Sequence, residues 1–500
     1  MQWLNLVVDK VLSAHPEGEI IVSSGVTPSG TYHVGTLREV LTADAVMLEL
    51  RRRGRKSRHI HVVDDLDVFR KVPVNVPPEF KKYLGWPLTD VPAPDGSSKS
   101  YADFFLDDFL KAAKALNLDM EVVRSRPKYS EGFMAPAIEK ALEKIAEIRQ
   151  ILETISGHKL DDNWSPVQVI EEGYLKNRRF VSIDKAKNTI VYEDLGGKEQ
   201  EINYRSGQVK LNWRIDWPAR WWLLGVDVEP FGRDHASAGG SYDTGAEIAK
   251  KVYGTDPPLP IPYHFINRVG ETKKMSKSTG DIIASSDFAK VLPPEIIRYF
   301  ILRLPPERQL FFDEVGVTKL IDDYAAETDQ QLLEICSSSL DTTISHVPFS
   351  HLVASYQAAL KNTDKTLEII KRTEYRDTVV EQDQLIREEL KFIDQWLKRW
   401  APDAVKFELA EKIDEKQFAA DEKQFLNQLA DKAAAAPADA DGEWFHKAIY
   451  ELKESGNLSS EQVFKPLYKA LISKDQGPRA GWFLSILPRD FLIKRLRLES

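Results

Sequence analysis

The sequence predicts an α/β domain on a parallel sheet, with an inserted β module and an all-α C-terminal region. Three observations predict it. Residues 1–130 alternate strand-like and helix-like patterns, which implies crossover helices and a nucleotide-binding, Rossmann-like architecture. Residues 156–210 read differently, as short β-like runs punctuated by Gly196-Gly197 and Ser206-Gly207 turns. From about Pro293 onward the pattern is helical.

In chain order, the apolar run Ile20-Ile21-Val22 places a strand over residues 19–24, followed by a helix over 37–52 and a strand over 57–63. A helix over 101–116 and a strand over 121–126 complete the first alternation. Residues 131–155 read as one long amphipathic helix. The module carries β-like runs at 179–183 and 189–192. The sheet resumes near 226–229, with a helix over 244–253 and a strand over 261–266. The Ala-, Asp-, Glu- and Lys-rich stretch 411–442 reads as a surface helix ending in a flexible linker. The expected domains are therefore a catalytic first half at 1–155, the module at 156–212, a catalytic second half at 213–315 and a helical region at 316–500.

Composition limits the function classes. Five hundred residues exceed one ordinary core, and the apolar fraction of 42% suits a globular protein. No apolar run reaches the roughly 20 residues that span a bilayer. Met1-Gln2-Trp3-Leu4-Asn5 is not a secretory leader, and the expected compartment is the cytoplasm. The single cysteine, Cys336, excludes an intrachain disulfide and any Cys-based zinc site. A net charge of −9 is a weak argument against a nucleic-acid partner, because binding depends on local patches. The densest basic run lies between Arg51 and His59; a solvated helix end and an RNA contact explain it about equally well.

Two elements suit a polyphosphate. Pro28, Ser29 and Gly30 form a small-residue turn after the first strand, and His33, Gly35 and Thr36 open the helix that follows. A helix N-terminus offers free N–H groups and a positive dipole end to an anion, and His33 at its mouth can hydrogen-bond a phosphate. Far downstream, Lys274-Met275-Ser276-Lys277-Ser278 precedes Thr279-Gly280. Its lysines neutralise phosphate oxygens, its serines donate hydrogen bonds, and Gly280 lets the backbone turn.

The pairing of these elements resembles class I aminoacyl-tRNA synthetases. His33-Val34-Gly35-Thr36 is similar to their HIGH element, with Thr36 where a second histidine usually stands, and residues 274–278 match KMSKS letter for letter. Asp64-Asp65-Leu66-Asp67, the run from Trp213 to Trp221, Gly232-Arg233-Asp234-His235 and Gly477-Pro478-Arg479-Ala480-Gly481 narrow the resemblance to class I lysyl-tRNA synthetases of the archaeal and bacterial type, over nearly the whole chain. The resemblance implies a HUP-type Rossmann-like catalytic domain and a helical anticodon-binding region. It implies activation of L-lysine with ATP, with Mg²⁺ carried mostly on ATP oxygens, followed by transfer to tRNA(Lys).

It assigns catalysis to His33, Lys274 and Lys277. ATP binding falls to Pro28, Ser29, Gly30, Gly35, Thr36, Gly232, Asp234, Met275, Ser276 and Ser278. Lysine binding falls to Gly25, Thr27, Asp216, Trp217, His235 and Tyr263. Asp64, Asp65 and Asp67 are left between Mg²⁺ and structural roles, and the oligomeric state is left open. Relatives commonly carry zinc-ribbon cysteine pairs where this chain has Val169-Ile170-Glu171-Glu172-Gly173-Tyr174, so no structural zinc is expected and the module should rest on its own apolar face. In the helical region Trp444, Phe445, Tyr468, Arg479 and Trp482 are candidate RNA contacts. A glutamate-specific enzyme and a non-catalytic RNA-binding paralogue are the competing readings; the first would need a basic residue in the pocket, and the second is disfavoured by the two KMSKS lysines.

Overall fold

The structure, a computed structural model, describes all residues except 271–282, 338–343, 404, 411, 439 and 500. Five parallel strands form the main sheet: β1 (Ile20–Val26), β2 (Ser57–Val63), β3 (Met120–Arg124), β10 (Val228–Gly232) and β11 (Leu259–Tyr263). Their order is β11-β10-β1-β2-β3, so the chain leaves β1 to one side and later returns to its other side. Helix α1 (Gln2–Ala14) buries Leu4, Val8 and Val11, spaced to share one face. Helix α2 (Val34–Arg52), the crossover from β1, is buried along most of its length, which brings even Asp44 and Arg38 inside. Asp44 meets the buried Arg298 guanidinium.

The module holds β4 (Val167–Glu171), β5 (Tyr174–Asn177), β6 (Arg179–Asp184), β7 (Thr189–Glu193), β8 (Glu199–Asn203) and β9 (Val209–Leu211), in two three-stranded antiparallel sheets. Glu172 and Gly173, at φ 50° and 84°, make the two-residue turn between β4 and β5. The module does not rest on its own apolar face alone. Val167, Val169, Ile190, Val209 and Leu211 share one core with Ile138, Ile148, Ile151 and Ile215, which lie on helices outside it.

Two other expectations are corrected. The single helix over 131–155 is two helices, Ala135–Glu143 and Ile145–Ser156, because Lys144 leaves the helical region at φ −115°, ψ 27°. In the Ala-rich stretch the helix Ala420–Ala435 is a core element, with Phe425, Leu426, Leu429, Ala430 and Ala433 buried. Its small residues allow close approach of neighbouring helices.

The chain divides into two compact units. One comprises Met1–Ala289, Ile297–Phe312 and Asp329–Ser339; the other comprises Lys290–Ile296, Asp313–Thr328 and Leu340–Ser500. Helices of the second unit pack around Phe425, Leu429, Phe445, Ile449, Leu467 and Phe483.

Candidate active site

β1 pairs with β2 along its full length, from Ile20↔Ser57 to Val26↔Val63, but with β10 only at Val22↔Val228. Past Val22, β1 and β10 are not paired to each other. This is the point where the strand order reverses, and a crevice beyond the carboxyl ends of such strands is where α/β sheets bind ligands. A cavity of about 260 Å³ lies there, lined by Gly25, Thr27, Glu39, Trp217, Glu229 and His235 among others.

Three carboxylates, Glu39, Glu229 and Asp64, line this cavity together with the Arg220 guanidinium, which is itself paired with Asp216 at 3.1 Å. Glu39 comes from α2: its Oε1 accepts from the Gly25 backbone N–H at 2.7 Å and its Oε2 from the Tyr263 hydroxyl at 2.7 Å. Burial pushes the Glu39 carboxyl up to about 8, against the pull of those two donors. Glu229 sits on β10. Its Oε1 accepts from Ser23 Oγ at 3.2 Å, and its Oε2 accepts from the indole N–H groups of Trp217 and Trp221. Those tryptophans are four residues apart on the helix Trp213–Leu224 and so share a face. Trp213 stacks on Trp217 at 5.6 Å, and the His235 ring stands 5.4 Å and 5.6 Å from the two. Carboxylate and aromatic faces together suit an ammonium group.

The sequence reading missed Glu39 and Glu229. A signal was present for Glu229, an acid inside the otherwise apolar strand Val228–Gly232, but not for Glu39, which follows Arg38 on a helix that also carries Asp44 and Glu49. Asp216, expected at the lysine site, is not among the residues that line the cavity. Its place on the helix takes it away from the cavity lining into a buried ion cluster, 3.1 Å from Arg220 and 3.8 Å from Lys210, where Tyr129 also donates to it. Asp65 is bound by Arg124 at 2.7 Å and Asp67 by Arg70 at 2.7 and 2.8 Å, which satisfies them as structural ion pairs. Asp64 lines the cavity and lies 3.3 Å from Lys210.

The phosphate-type turn adjoins this cavity through β1. His33 is the N-cap of α2, and its Nδ1 accepts from the Gly35 N–H at 3.1 Å. A Cβ on Gly35 would stand 2.7 Å from the His33 ring, so glycine is needed for that fold-back. Tyr101 anchors the Ser29 carbonyl at 3.1 Å. Pro28, Gly30 and Thr36 belong to the same turn and helix start. Lys274, Met275, Ser276, Lys277 and Ser278 lie outside the described residues. The chain just after them is placed: Val34 N–H bonds the Ile283 carbonyl at 3.0 Å, and Ser285 N–H bonds the Tyr32 carbonyl at 2.9 Å. Gly232 ends β10; a Cβ there would meet Asp234 Oδ1 at 2.6 Å.

In the helical unit a separate cavity of about 910 Å³ is lined by His351, Tyr375, Gln357, His446, Arg479 and Trp482 among others. The buried His351 ring lies between Tyr375 at 4.8 Å and Trp482 at 4.4 Å, and burial pushes its pKa down to about 3, keeping it neutral. Gly481 lets two helices touch, because a Cβ would meet the Gly442 carbonyl at 2.4 Å. Phe445 and Tyr468 are core residues; Tyr468 donates to the Pro478 carbonyl. Trp444 packs against that same core.

A family model described as class I tRNA synthetases (K) matches residues 1–347, and one described as an anticodon binding domain matches residues 380–498. Lysine–tRNA ligase 1 of Methanosarcina acetivorans is 36% identical over 533 residues, covering 100% of this chain and 98% of that protein. The lysine–tRNA ligase of Archaeoglobus fulgidus is 35% identical over 502 residues, covering 99% of each chain. That of Pyrococcus horikoshii is 34% identical over 524 residues, covering 100% of each.

Proposed function

The chain belongs to the class I tRNA synthetases (K), and on that premise we propose how its residues carry out the reaction. The reaction is the ATP-dependent joining of L-lysine to tRNA(Lys). One observation carries the residue-level reading: a cavity at the strand-order reversal that combines an acceptor carboxylate, Glu39, with an aromatic wall.

Glu39, braced by Gly25 and Tyr263, takes the side-chain ammonium of lysine. Trp217 and His235 wall the aliphatic stem, and Gly25 and Thr27 leave backbone room at the end of β1. Glu229, held by two indoles and Ser23, sets the orientation of that wall. A glutamate side chain would place its charge against Glu39 and Glu229, and the lining cation Arg220 is already paired with Asp216, which disfavours it.

ATP lies on the adjacent turn. The N-terminus of α2 and His33 hold phosphate oxygens, with Pro28, Ser29, Gly30, Gly35 and Thr36 shaping the turn. Thr36 offers a hydroxyl but no positive charge. Gly232 and Asp234 meet the ribose hydroxyls. The lysine carboxylate attacks the α-phosphate, so the new bond is carboxylate oxygen to phosphorus and the bond to pyrophosphate breaks. A carboxylate is already an adequate nucleophile, and alignment with charge stabilisation is the whole task. Lys274 and Lys277 draw off charge on the departing pyrophosphate, while Met275, Ser276 and Ser278 complete the nucleotide contact. The 3′-terminal hydroxyl of tRNA then attacks the adenylate carbonyl, and AMP leaves.

Mg²⁺ arrives on ATP oxygens. Asp65 and Asp67 are already bound by arginines and do not form an open acidic site for it. In the helical unit Arg479 and Trp482, at the cavity beside His351, are the residues we assign to anticodon bases, which proteins read by stacking and by hydrogen bonds to splayed edges. No described helix is long and apolar enough to cross a membrane, and the cytoplasm is the proposed compartment.

The test is charging of lysine tRNA with labelled lysine and with labelled glutamate. Lysine alone should become acid-precipitable, and anticodon substitution should weaken that charging. Equal incorporation of glutamate would contradict the pocket assignment.

A further inference from the structure

The helical unit has a second cavity of about 1200 Å³, distinct in its chemistry from the one beside Trp482. The two share a wall. Gln357 and Phe407 line both, and Gln357 Oε1 holds the Phe407 N–H at 2.8 Å. The second cavity is basic. Lys361, Lys365, Arg372, Lys406, Lys474 and Arg495 line it, against the carboxylates of Glu368 and Glu408. Lys406 is paired with Asp403 at 3.7 Å, and the other five cations against two acids leave three. Lys361, Arg372 and Lys474 follow the C-terminal ends of three helices, and about half a negative charge at each end removes about 1.5. A surplus of about 1.5 positive charges remains, in a chain whose net charge is −9.

The pairing state of these cations separates them from the basic run that stands out in the sequence. Arg51, Arg52, Arg53 and Arg58 are all in ion pairs, with Asp119, Glu49, Asp9 and Glu121 among their partners. Lys361, Lys365 and Arg372 are exposed, and among the described residues none of the three has an ion pair. Lys365 lies on the helix Thr363–Ile370 and Arg372 in the turn that follows it, and both line the cavity. Unpaired cations in a concave, partly apolar wall suit a polyanion with spaced charges.

We propose that this cavity holds backbone phosphates of the tRNA substrate, as a positioning site that does not read sequence. The inference rests on the tRNA-charging reading above. Phosphate contacts fix register, whereas base contacts specify. Each neutralised phosphate adds about 0.7 to 0.9 to the salt slope of binding.

The experiment is filter binding of lysine tRNA to the full chain between about 50 and 300 mM salt. Lys361→Ala, Lys365→Ala and Arg372→Ala are compared with Lys10→Ala, a surface control. Each of the three should lower the slope by about 0.7 to 0.9 and weaken binding about five- to tenfold near 100 mM salt, and the triple variant by about two to three in slope. An anticodon-substituted tRNA should lose affinity by the same factor. Lys365→Arg should keep the slope, and lysine-dependent pyrophosphate exchange should be unchanged throughout. An unchanged slope in the triple variant overturns the proposal. So does an equal fall with Lys10→Ala, or a loss confined to the cognate anticodon. Absence of exchange in the unsubstituted chain both without tRNA and with lysine tRNA present would overturn the charging reading instead, since the slope is measured without it.

Discussion

Replacing Glu39 with glutamine tests the lysine pocket through a pH dependence. The carboxyl is pushed up to about 8 by burial, so below that pH it is mostly protonated in the empty cavity. An ammonium is bound by the carboxylate, not by the acid. Binding at pH 7 therefore costs about one unit of deprotonation, about 1.4 kcal/mol, and at pH 6 about twice that. The lysine KM of the unsubstituted chain should fall about tenfold per pH unit from pH 6 towards 8 and then level off. Glu39→Gln removes the charge and keeps one acceptor oxygen, which can take the Gly25 N–H, while its amide NH2 faces the Tyr263 hydroxyl oxygen. Removing one partner of a buried pair costs about 3–5 kcal/mol. Because Glu39 keeps some surface open to its cavity, the lower end applies, or about 100-fold in kcat/KM for lysine at pH 8.5. At pH 6.5 the unsubstituted chain is itself mostly protonated, and the gap should shrink by about 1.5 decades. The assay is lysine-dependent ATP–pyrophosphate exchange from pH 6 to 8.5, where the side-chain ammonium of lysine stays protonated. A loss under threefold at pH 8.5, or a ratio that does not change with pH, would refute the assignment.

Other predictions concern different parts of the chain. Lys277→Ala should slow adenylate formation in a single turnover by about 100-fold or more while leaving lysine affinity within a few-fold, because its charge acts on departing pyrophosphate; stopped-flow adenylation checks it. Chelator-untreated protein should contain well under one zinc per chain by elemental analysis, and chelation should leave the melting temperature unchanged, since β4 and β5 are joined by a two-residue turn and their core is apolar. Leu429→Ala should destabilise the helical unit by about 2–5 kcal/mol in denaturant unfolding, because that side chain is fully buried. Trp482→Ala should lower charging of lysine tRNA yet leave pyrophosphate exchange intact, because the ring belongs to the helical cavity.

Much of the catalytic sheet was legible, for reasons visible in particular residues. Ile20-Ile21-Val22 reads as an apolar strand, and the β-branched end Ile60 to Val63 marks the strand that pairs with it, although Ser57, His59 and His61 are polar residues buried there. His33 declares a helix start because it caps α2 with its own side chain. Other features depend on tertiary packing. Nothing local to Lys144 announces that it breaks a helix, and the Ala-rich stretch looks like a surface segment until Ala430 and Ala433 are placed in the core with Leu426 and Leu429. Asp216 and Trp217 are adjacent in sequence, yet helical rotation sends one into an ion cluster and the other to the cavity. Lys361, Arg372 and Lys474 are scattered along the chain and meet only through the fold, whereas the conspicuous arginines after Leu50 are absorbed in ion pairs.

The central claim is that the cavity between β1 and β10 selects lysine for activation on the adjoining phosphate turn. ATP–pyrophosphate exchange across the twenty amino acids, without tRNA and again with lysine tRNA present, tests it most directly. The account predicts exchange with lysine in at least one of the two conditions, and at most a background rate with glutamate and with the other eighteen. Exchange driven by glutamate or another amino acid at a rate comparable to lysine, or no exchange with any of them in either condition, would contradict it.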